Sequence, residues 1–498
     1  MTDPEHLDVL IVGAGLSGVA AAVYLQKHSP DQSFAILEGR ENLGGTWDLF
    51  RYPGIRSDSD MFTLGYSFNP WTRERSIAAG QSIREYIGET VDDHDLRSRV
   101  RVGHQVVRAD WSSETDLWTV TVRRGGDDVV LTCRFLLMCS GYYSYKRGYT
   151  PDLPGLESFR GQVVHPQTWP EGLDHAGKKI VVIGSGATAV TLVPSLATTA
   201  ERVTMLQRSP GYMAVDGDVD HFAAKLRRVV GARLAYKLIR LRNTRRQQAT
   251  YKKAKSDPET FKQGLFDVIR EKVGQEVLEQ HFTPNYQPWD QRLCLVPNGD
   301  MFTAIAEGRA DVATGQIEKF TETGVRLTSG QEIEADIVVT ATGLELVSPG
   351  EAEFRVDGEV VDFATRWTYK GLGYSGVPNL AFFFGYINTS WTVRIELVAA
   401  YVCKVLNHMT RTGATKVTPT LRPEDAGMPQ LPFIADISSG YFQRANGVLP
   451  KQGDHAPWTN PQNHAETKKM LATPVEDGVL VFEGASRDAR SQSTTAAH

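Results

Sequence analysis

The sequence is poor in cysteine and contains no long apolar run. Its four cysteines, Cys133, Cys139, Cys294 and Cys403, form no CxxC pair and no cluster typical of a metal site. This usage is typical of a reducing compartment. No stretch approaches the roughly 20 apolar residues of a membrane-spanning helix, and the apolar run at 7–12 is too short for an export signal. We therefore expect a cytoplasmic protein without a transmembrane segment.

An excess of positive charge is also missing. The chain has 54 Lys and Arg against 59 Asp and Glu, a net charge of −5. Nucleic acid binding requires a basic face to meet phosphates, so this balance argues against nucleic acid as a partner. At 498 residues with 41% hydrophobic residues, the chain has the composition of a globular protein and is too long for one simple core.

Two segments of the chain, 7–25 and 178–196, share one design. Each has a short continuous apolar run, then a glycine turn, then small and apolar residues at helical spacing. A run that is apolar on both faces is typical of a central strand in a parallel sheet. The repeat predicts an α/β fold with two doubly wound, Rossmann-like dinucleotide-binding domains.

Proline and glycine mark the boundaries of these domains. The stretch 144–156 contains Gly148, Pro151, Pro154 and Gly155 and suits a linker. The apolar segment 333–346 predicts the last strand of the second domain and a crossing back to the first. The predicted division is a first domain in two parts at 1–145 and 346–485, a second domain at 146–345, and a disordered tail at 486–498.

The second domain contains a segment, about 212–288, that predicts helices rather than βαβ units. Its part 221–256 has twelve Lys and Arg and no acidic residue. Apolar residues recur there at helical spacing and are expected beneath the charges: Leu226, Val230, Leu234, Leu238 and Leu241. We favour a solvated face of a helical insertion. The alternative is a basic surface in weak, peripheral contact with anionic lipid.

The first glycine turn has the GxGxxG pattern, with a strand before it and a helix after it. Such glycines let the backbone approach a pyrophosphate at a helix N-terminus. Glu38 follows about 20 residues later, where an acid accepts hydrogen bonds from an unphosphorylated ribose. We predict FAD here. The predicted contacts in this motif are Gly13, Gly15, Ser17, Gly18 and Glu38.

The second glycine turn ends in alanine, and the downstream position that matches Glu38 is not an acid. Instead Arg208 and Ser209 stand at the corresponding position, a cation and a hydroxyl suited to a ribose 2′-phosphate. This substitution favours NADPH over NADH. The predicted turn residues are Gly184, Gly186, Thr188 and Ala189.

Two longer motifs carry a family resemblance. One is FxGxxxHxxxWP, from Phe159 to Pro170, and the other is GGxWxxxxYPGxxxD, from Gly44 to Asp58. The chain thereby resembles the Baeyer–Villiger monooxygenases among the class B flavoprotein monooxygenases, and more closely their ethionamide-activating (EthA-type) subgroup. The similarity runs from the first strand to about Trp458. In the second motif, Gly45, Thr46 and Trp47 are expected at the FAD, with Trp47 in a packing role.

The resemblance implies a particular use of the reduced flavin. A C4a-peroxyflavin formed from O₂ would oxidise ketones to esters or lactones, and also sulfides or thioamides, with NADP⁺ retained. An N- or S-hydroxylating flavin monooxygenase without ketone activity is the alternative. A disulfide reductase is disfavoured because residues 40–60 contain no cysteine. A non-catalytic flavin-binding sensor is the least favoured interpretation.

The resemblance also assigns active-site residues. Arg292, in the motif DQRLC, matches the family's active-site arginine, a permanent cation suited to a developing oxyanion. Asp58 matches the family's carboxylate, which would hold Arg292 in place and assist proton transfer. Asp60 is a rival that only the motif register separates from Asp58. His165 lies in the linker and is expected near the nicotinamide cofactor or in a structural hydrogen bond. Gln291 replaces a lysine common in the family, which predicts a weaker preference for NADPH.

Polar residues precede a predicted helix that runs from about Trp391 to about His408. Asn388, Thr389 and Ser390 are candidate capping residues for this helix. We hypothesise that the N-terminus of the helix faces the pyrimidine edge of the flavin, where its dipole stabilises the anionic reduced ring.

Overall fold

The computed structural model describes residues 3–435 and 439–484. The first segment begins with the strand, glycine turn and helix that the sequence predicts, and it ends with an antiparallel meander. Its elements are β1 (Glu5–Val12), α1 (Leu16–His28), β2 (Phe34–Leu37), α2 (Thr46–Leu49), α3 (Met61–Leu64), α4 (Gly80–Asp93), β3 (Val100–Arg101), β4 (Gln105–Ser112), β5 (Leu117–Arg124) and β6 (Asp127–Met138).

The middle segment holds the second glycine turn and a group of helices. Its elements are β7 (Tyr143–Gly148), β8 (Gln162–Val164), β9 (Lys179–Ile183), α5 (Ala187–Leu196), β10 (Arg202–Gln207), β11 (Met213–Asp216), α6 (His221–Val230), α7 (Ala232–Ser256), α8 (Pro258–Val273), α9 (Gln275–His281), β12 (Cys294–Pro297), α10 (Asp300–Ala306), β13 (Ala310–Thr314), β14 (Ile317–Thr321), β15 (Gly324–Leu327), β16 (Glu332–Glu334), β17 (Ile337–Thr340) and β18 (Leu344–Leu346).

The last segment is built around one long helix. Its elements are β19 (Glu353–Val356), β20 (Glu359–Val360), β21 (Thr368–Tyr369), β22 (Gly373–Tyr374), β23 (Leu380–Phe382), α11 (Trp391–Thr412), β24 (Lys416–Pro419), β25 (Leu431–Pro432), α12 (Gly440–Arg444), β26 (Lys451–Gln452), α13 (His464–Ala472) and β27 (Leu480–Glu483). Helix α11 ends four residues beyond the predicted His408. The predicted tail at 486–498 lies outside the described residues.

The first unit is a sheet in the order β20-β19-β4-β5-β6-β1-β2-β3. Strand β1 lies between β6 and β2 and is parallel to both, and its residues 9–12 are buried, which explains their continuous apolar character. Strand β23 pairs parallel with β6, so the last segment returns to this first sheet. Helix α11 then packs against α1, the helix of the first glycine turn.

The second unit is a five-stranded sheet in the order β13-β10-β9-β17-β8, and every pairing in it is parallel. Strand β7 leads from the first unit and β18 leads back, and these two pair with each other in antiparallel fashion. The predicted fold class, two doubly wound units, is thereby confirmed.

Four helices, α6 to α9, lie between β11 and β12, which pair with each other in parallel. The prediction of which face of α7 is buried was wrong. Leu234, Leu238 and Leu241 are 50%, 44% and 48% exposed, and α7 instead buries Ala235, Tyr236, Ile239, Asn243, Thr244 and Ala254. Helix α7 has apolar residues on two of its faces. The face that packs against α3 also contains small and polar side chains. Of the described helices, none combines the length and apolar character needed to cross a membrane.

Candidate active site

The first glycine turn joins β1 to α1 and is closely packed. Gly13 has a φ of +104°, and a Cβ there would lie 2.6 Å from the carbonyl oxygen of Cys139. A Cβ on Gly18 would lie 1.9 Å from the carbonyl oxygen of Gly13, so Gly18 serves helix packing. No side chain caps the N-terminus of α1, which begins after Gly15. The amides of its first turn are therefore available to an anionic group.

Glu38 lies at the end of β2, beside this turn. Its carboxylate accepts hydrogen bonds from the amide of Ala14 at 2.8 Å and from the amide of Arg40 at 3.0 Å. Each carboxylate oxygen retains a further lone pair, which suits a ribose hydroxyl. Burial raises the pKa of Glu38 above its ordinary value, although the two amides and Arg40 oppose the shift.

The second glycine turn joins β9 to α5 in the same manner. Gly184 has a φ of +133°, and a Cβ there would lie 2.3 Å from the carbonyl oxygen of Ala341. Helix α5 begins after Gly186 and likewise has no side-chain cap. Arg208 and Ser209 follow directly after β10, the strand beside β9, and both are exposed. Arg208 therefore places an exposed cation, without an ion pair to any described residue, beside this turn.

Asp58 and Arg292 meet between the two units. The guanidinium of Arg292 donates a short hydrogen bond to the carboxylate of Asp58, and these side chains are 36% and 28% exposed. The rival Asp60 has a different role, because it caps α3 by accepting from the amide of Thr63 at 3.1 Å. The side chains of Asn243 and Gln247 on α7 also donate to Asp60, at 3.0 and 2.9 Å.

The surroundings of Arg292 keep it charged. Its pKa is raised above the ordinary value because the attraction of Asp58 outweighs the effect of burial. Tyr142 and Tyr441 lie close to the guanidinium, and burial raises the pKa of each phenol, so both remain protonated. Burial also raises the pKa of the Cys294 thiol to about 12, which leaves no thiolate near Arg292 at neutral pH.

One cavity of about 560 Å³ connects the first glycine turn with this ion pair. Its volume falls in the range of cofactor and substrate sites. The predicted residues that line it are Gly13, Gly15, Ser17, Glu38, Gly45, Thr46, Trp47, Asp58 and Arg292. The other predicted residues do not line it: Gly18, His165, Gly184, Gly186, Thr188, Ala189, Arg208 and Ser209.

His165 lies beside the connection between the units. Its Nδ1 accepts a hydrogen bond from the amide of Gln167 at 3.1 Å, and burial lowers the pKa of the ring. A Cβ on Gly148, at the end of β7, would lie 1.8 Å from a ring carbon of His165. The imidazole therefore packs directly on the backbone of the connecting strand. Trp169, which follows in the same motif, packs partly buried against the core.

The start of α11 borders the cavity, since Ile387 and Trp391 line it. The capping prediction was wrong in one respect: Ser390 is the N-cap residue, but no side chain caps the helix. The hydroxyl of Ser390 is instead within hydrogen-bond distance of the hydroxyl of Thr63, at 2.6 Å. The Thr389 hydroxyl bonds to Gln247 of α7. Among residues 3–435 and 439–484, no side chain caps the first amides of α11.

Sequence reasoning missed several residues around the cavity. Asp48 is a fully buried carboxylate, and three guanidinium groups surround it, those of Arg40, Arg51 and Arg84 at 2.8, 3.0 and 3.2 Å. Arg51 is three residues from Asp48, but Arg40 and Arg84 are 8 and 36 residues from it, so no local motif signals the whole cluster. Tyr142 stacks on Trp391 with ring centroids 5.2 Å apart, and both rings line the cavity.

Another missed contact joins the loop of Asp58 to the second unit. Arg56 forms a short ion pair with Asp300, the first residue of α10. The two residues are 244 positions apart in the sequence. Only the alternation of charged residues at 56, 58 and 60 hinted that this loop has several partners.

Comparisons with known proteins identify the family of the chain. A family model described as flavin-binding monooxygenase-like matches residues 77–357, and one described as NAD(P)-binding Rossmann-like domain matches residues 11–73. The FAD-containing monooxygenase EthA of Mycolicibacterium smegmatis is 49% identical over 469 residues, which cover 94% of this chain and 95% of that protein.

Solved structures share the fold over nearly the whole chain. A steroid monooxygenase bound to NADP has a TM-score of 0.75 at 23% identity, covering 96% of this chain and 100% of that one. Cyclohexanone monooxygenase from Rhodococcus sp. Phi1, bound to NADP⁺, has a TM-score of 0.76 at 20% identity, covering 97% and 100%. At these identities the likeness establishes the fold.

Proposed function

The chain belongs to the flavin-binding monooxygenase-like family, and on that basis we propose that it is an FAD-containing, NADPH- and O₂-dependent Baeyer–Villiger monooxygenase. It oxidises small ketones to esters or lactones and oxygenates sulfides or thioamides. The observation that carries the proposal is the Arg292–Asp58 ion pair in the cavity that begins at the first glycine turn. A fixed cation beside a cofactor cavity is the arrangement that stabilises a developing oxyanion.

The residues around the cavity fit FAD. At the pyrophosphate end, the backbone at Gly13 leaves no room for a side chain, and the amides of α1 are uncapped. Glu38 provides the acceptor for an unphosphorylated ribose. At the far end, the uncapped start of α11 offers amide donors to an anionic ring. When bound, FAD supplies electron transfer from NADPH and the activation of O₂.

The second glycine turn fits NADPH. Gly184 and the uncapped α5 suit a second pyrophosphate, and Arg208 supports recognition of a 2′-phosphate. His165 packs on β7, the strand that joins the two units. This position supports a role for His165 in coupling the binding of the nicotinamide cofactor to the relative position of the units. We place Thr188, Ala189 and Ser209 in the same cofactor contact.

We assign distinct tasks to the two members of the ion pair. Arg292 stays protonated and stabilises the negative charge that develops on the substrate's carbonyl oxygen. Asp58 fixes the position of that guanidinium and, through its second oxygen, accepts or returns a proton. Tyr142 and Trp391 form an aromatic wall that excludes water from the reacting atoms. The site therefore provides both a permanent cation and an aromatic surface that excludes water.

We also propose that the protein works in the cytoplasm, with peripheral membrane contact at most. The test of the catalytic proposal is incubation of purified enzyme with NADPH, O₂ and a matched panel of ketones and sulfides, with product masses recorded. We expect ester or lactone products that are heavier than the ketones by one oxygen atom, with NADPH consumption that rises with substrate. Oxygenated sulfides without any ester would favour the N- or S-hydroxylating alternative, and a flavin that never turns over NADPH would overturn the proposal.

A further inference from the structure

Helix α7 exposes an apolar stripe to solvent. Leu234, Leu238 and Leu241 are spaced by four and three residues, so they share one helix face, and each is about half exposed. The neighbouring α6 adds Phe222 at 54% and Val229 at 81% exposure. Isolated exposed apolar residues are ordinary, but five on two adjacent helices form a patch typical of an interaction site. We call these two exposed faces the α6–α7 surface.

Cations flank the stripe. Arg233, Lys237 and Arg245 are exposed and follow one another at spacings of four and eight, so they lie beside the leucines. Within residues 3–435 and 439–484, none of the three has a carboxylate within ion-pair distance. Other arginines of α7 are paired: Arg240, which turns inward, with Glu396 at 3.4 Å, and the exposed Arg246 with Asp216 at 2.9 Å. The charges of Arg233, Lys237 and Arg245 are thus not neutralised by a described carboxylate of the protein.

A cavity of about 550 Å³ opens beside the same helix face. Arg233 and Lys237 line it from α7, and Lys27 and His28 line it from the end of α1. Phe68 contributes to its wall, with the Lys27 ammonium 6.0 Å from the ring centroid. Three cations that converge on one cavity suit a phosphate group.

We propose that the α6–α7 surface docks on a bilayer containing anionic phospholipid. The leucines enter the boundary between headgroups and acyl chains, and the cavity of Lys27, Arg233 and Lys237 accepts a lipid phosphate. Amphipathic helices that bind in this way combine an apolar stripe with flanking cations, and both features are present. Nucleic acid or an acidic protein would engage the cations but would leave the leucines without a partner. The inference does not depend on the proposed oxygenase activity.

The opposite face of α7 contacts the loop that borders the catalytic cavity. Asn243 and Gln247 donate to Asp60, two residues from Asp58, and Arg240 donates to the carbonyl oxygen of Gly65 at 2.6 Å. One rigid helix therefore links the exposed stripe to the loop of the ion pair. An apolar substrate dissolved in the bilayer would meet the protein on the side where that loop is held.

The first test is sedimentation of the purified, FAD-loaded protein with vesicles. We expect it to pellet with vesicles of phosphatidylcholine and phosphatidylglycerol, to remain in solution with phosphatidylcholine alone, and to be released by salt. The variant Arg233→Glu/Lys237→Glu should lower the partition coefficient at least about 30-fold, since the two lost cations contribute about 1 kcal/mol each and the new carboxylates are repelled. The variant Leu234→Gln/Leu238→Gln/Leu241→Gln, with unchanged charge, should lower it more than about tenfold.

Matched controls separate these effects from unfolding. Arg124→Glu/Lys178→Glu makes the same charge change at exposed residues elsewhere, and Val360→Gln replaces a side chain that is 60% exposed on β20. Both controls should bind like the wild type. Flavin content and the thermal midpoint should be unchanged in every variant. Binding that survives the leucine substitutions, or equal binding to RNA or heparin, would overturn the lipid assignment.

A second readout reports insertion directly. The four native cysteines are buried, so Leu238→Cys introduces the single exposed thiol among the described residues for an environment-sensitive fluorophore. Emission from this label should shift to the blue with anionic vesicles, while a label at Val360→Cys should not respond. An unshifted label on vesicle-bound protein would also contradict the proposal, because it would leave only electrostatic adsorption.

Discussion

The Asp58 carboxylate of the first unit is ion-paired with the Arg292 guanidinium of the second. The pair belongs to a set of contacts in which alternate residues of one loop reach across the interface. Arg56 pairs with Asp300, and Asp60 accepts from Asn243 on α7. The loop is thereby held at three points by the unit that carries the second glycine turn. Any relative movement of the two units would shift the cation with respect to the cavity.

Loss of the Arg292 cation should separate reduction from oxygenation. In Arg292→Ala we expect FAD content and NADPH oxidation to persist, while ester formation from ketones falls about 10²- to 10³-fold because the developing oxyanion loses its fixed donor. Arg292→Lys keeps a charge but not the planar fork and should recover part of the loss. Product formation per NADPH consumed is the measurement. Ester production near the wild-type rate in Arg292→Ala would refute the assigned role.

The two candidate carboxylates should behave differently when each is replaced. Asp58→Asn should leave the thermal midpoint nearly unchanged, since both partners are partly exposed, but should lower ketone oxygenation about 100-fold. Asp60→Ala should instead destabilise the fold by about 2 kcal/mol, because a helix cap and two side-chain bonds from α7 are lost. Its kcat per bound flavin should remain close to the wild-type value. The opposite pattern would exchange the two roles.

The glycine turns could be predicted from sequence because their constraints are local. An apolar run, a turn that admits no Cβ and a following helix are all encoded within about 20 residues, as at Gly13 and Gly184. The choice between Asp58 and Asp60 could not be made from such a pattern. Both lie on the same short loop, and only the fold determines which one meets Arg292 and which one caps α3.

The buried face of α7 also could not be predicted from the sequence. Leu234, Leu238 and Leu241 have the regular spacing of a buried face, yet Tyr236 and Ile239 are the residues that pack inside. A helix with apolar side chains on two faces gives the same periodicity whichever face is covered. Tertiary contacts decide between the faces: Arg240 donates to the carbonyl oxygens of the α3 turn and pairs with Glu396, which fixes the inner side.

Recognition of the 2′-phosphate should depend on Arg208. In Arg208→Ala we expect the KM for NADPH to rise at least about tenfold and the KM for NADH to change little, because only NADPH carries the additional charge. Arg202 is a matched control at the other end of β10, where it pairs with Asp311. Arg202→Ala should affect both cofactors equally. Equal effects of Arg208→Ala on the KM for NADPH and for NADH would show that Arg208 does not bind the 2′-phosphate.

The buried Asp48 should make the stability of the folded protein sensitive to acid. Burial alone would raise the pKa of Asp48, but Arg40, Arg51 and Arg84 outweigh it and hold the pKa below the ordinary 3.8. A carboxyl group with a lowered folded pKa contributes stability above its unfolded pKa and loses that contribution as the pH falls through the folded pKa. Wild-type protein should therefore lose stability steeply below about pH 4.

Asp48→Asn removes this contribution at neutral pH. We expect a loss of about 2 kcal/mol, less than for a fully buried pair because the guanidinium groups remain in contact with water. Since Asp48 lies on α2, directly after Gly45, FAD should dissociate faster, and free-flavin fluorescence will report it. Asp92→Asn is the matched control: Asp92 also pairs with an arginine, Arg97, but is exposed, so its replacement should change neither stability nor flavin release. If the two variants behave alike, the arginine cluster around Asp48 does not hold Gly45 and α2 in place at the FAD cavity.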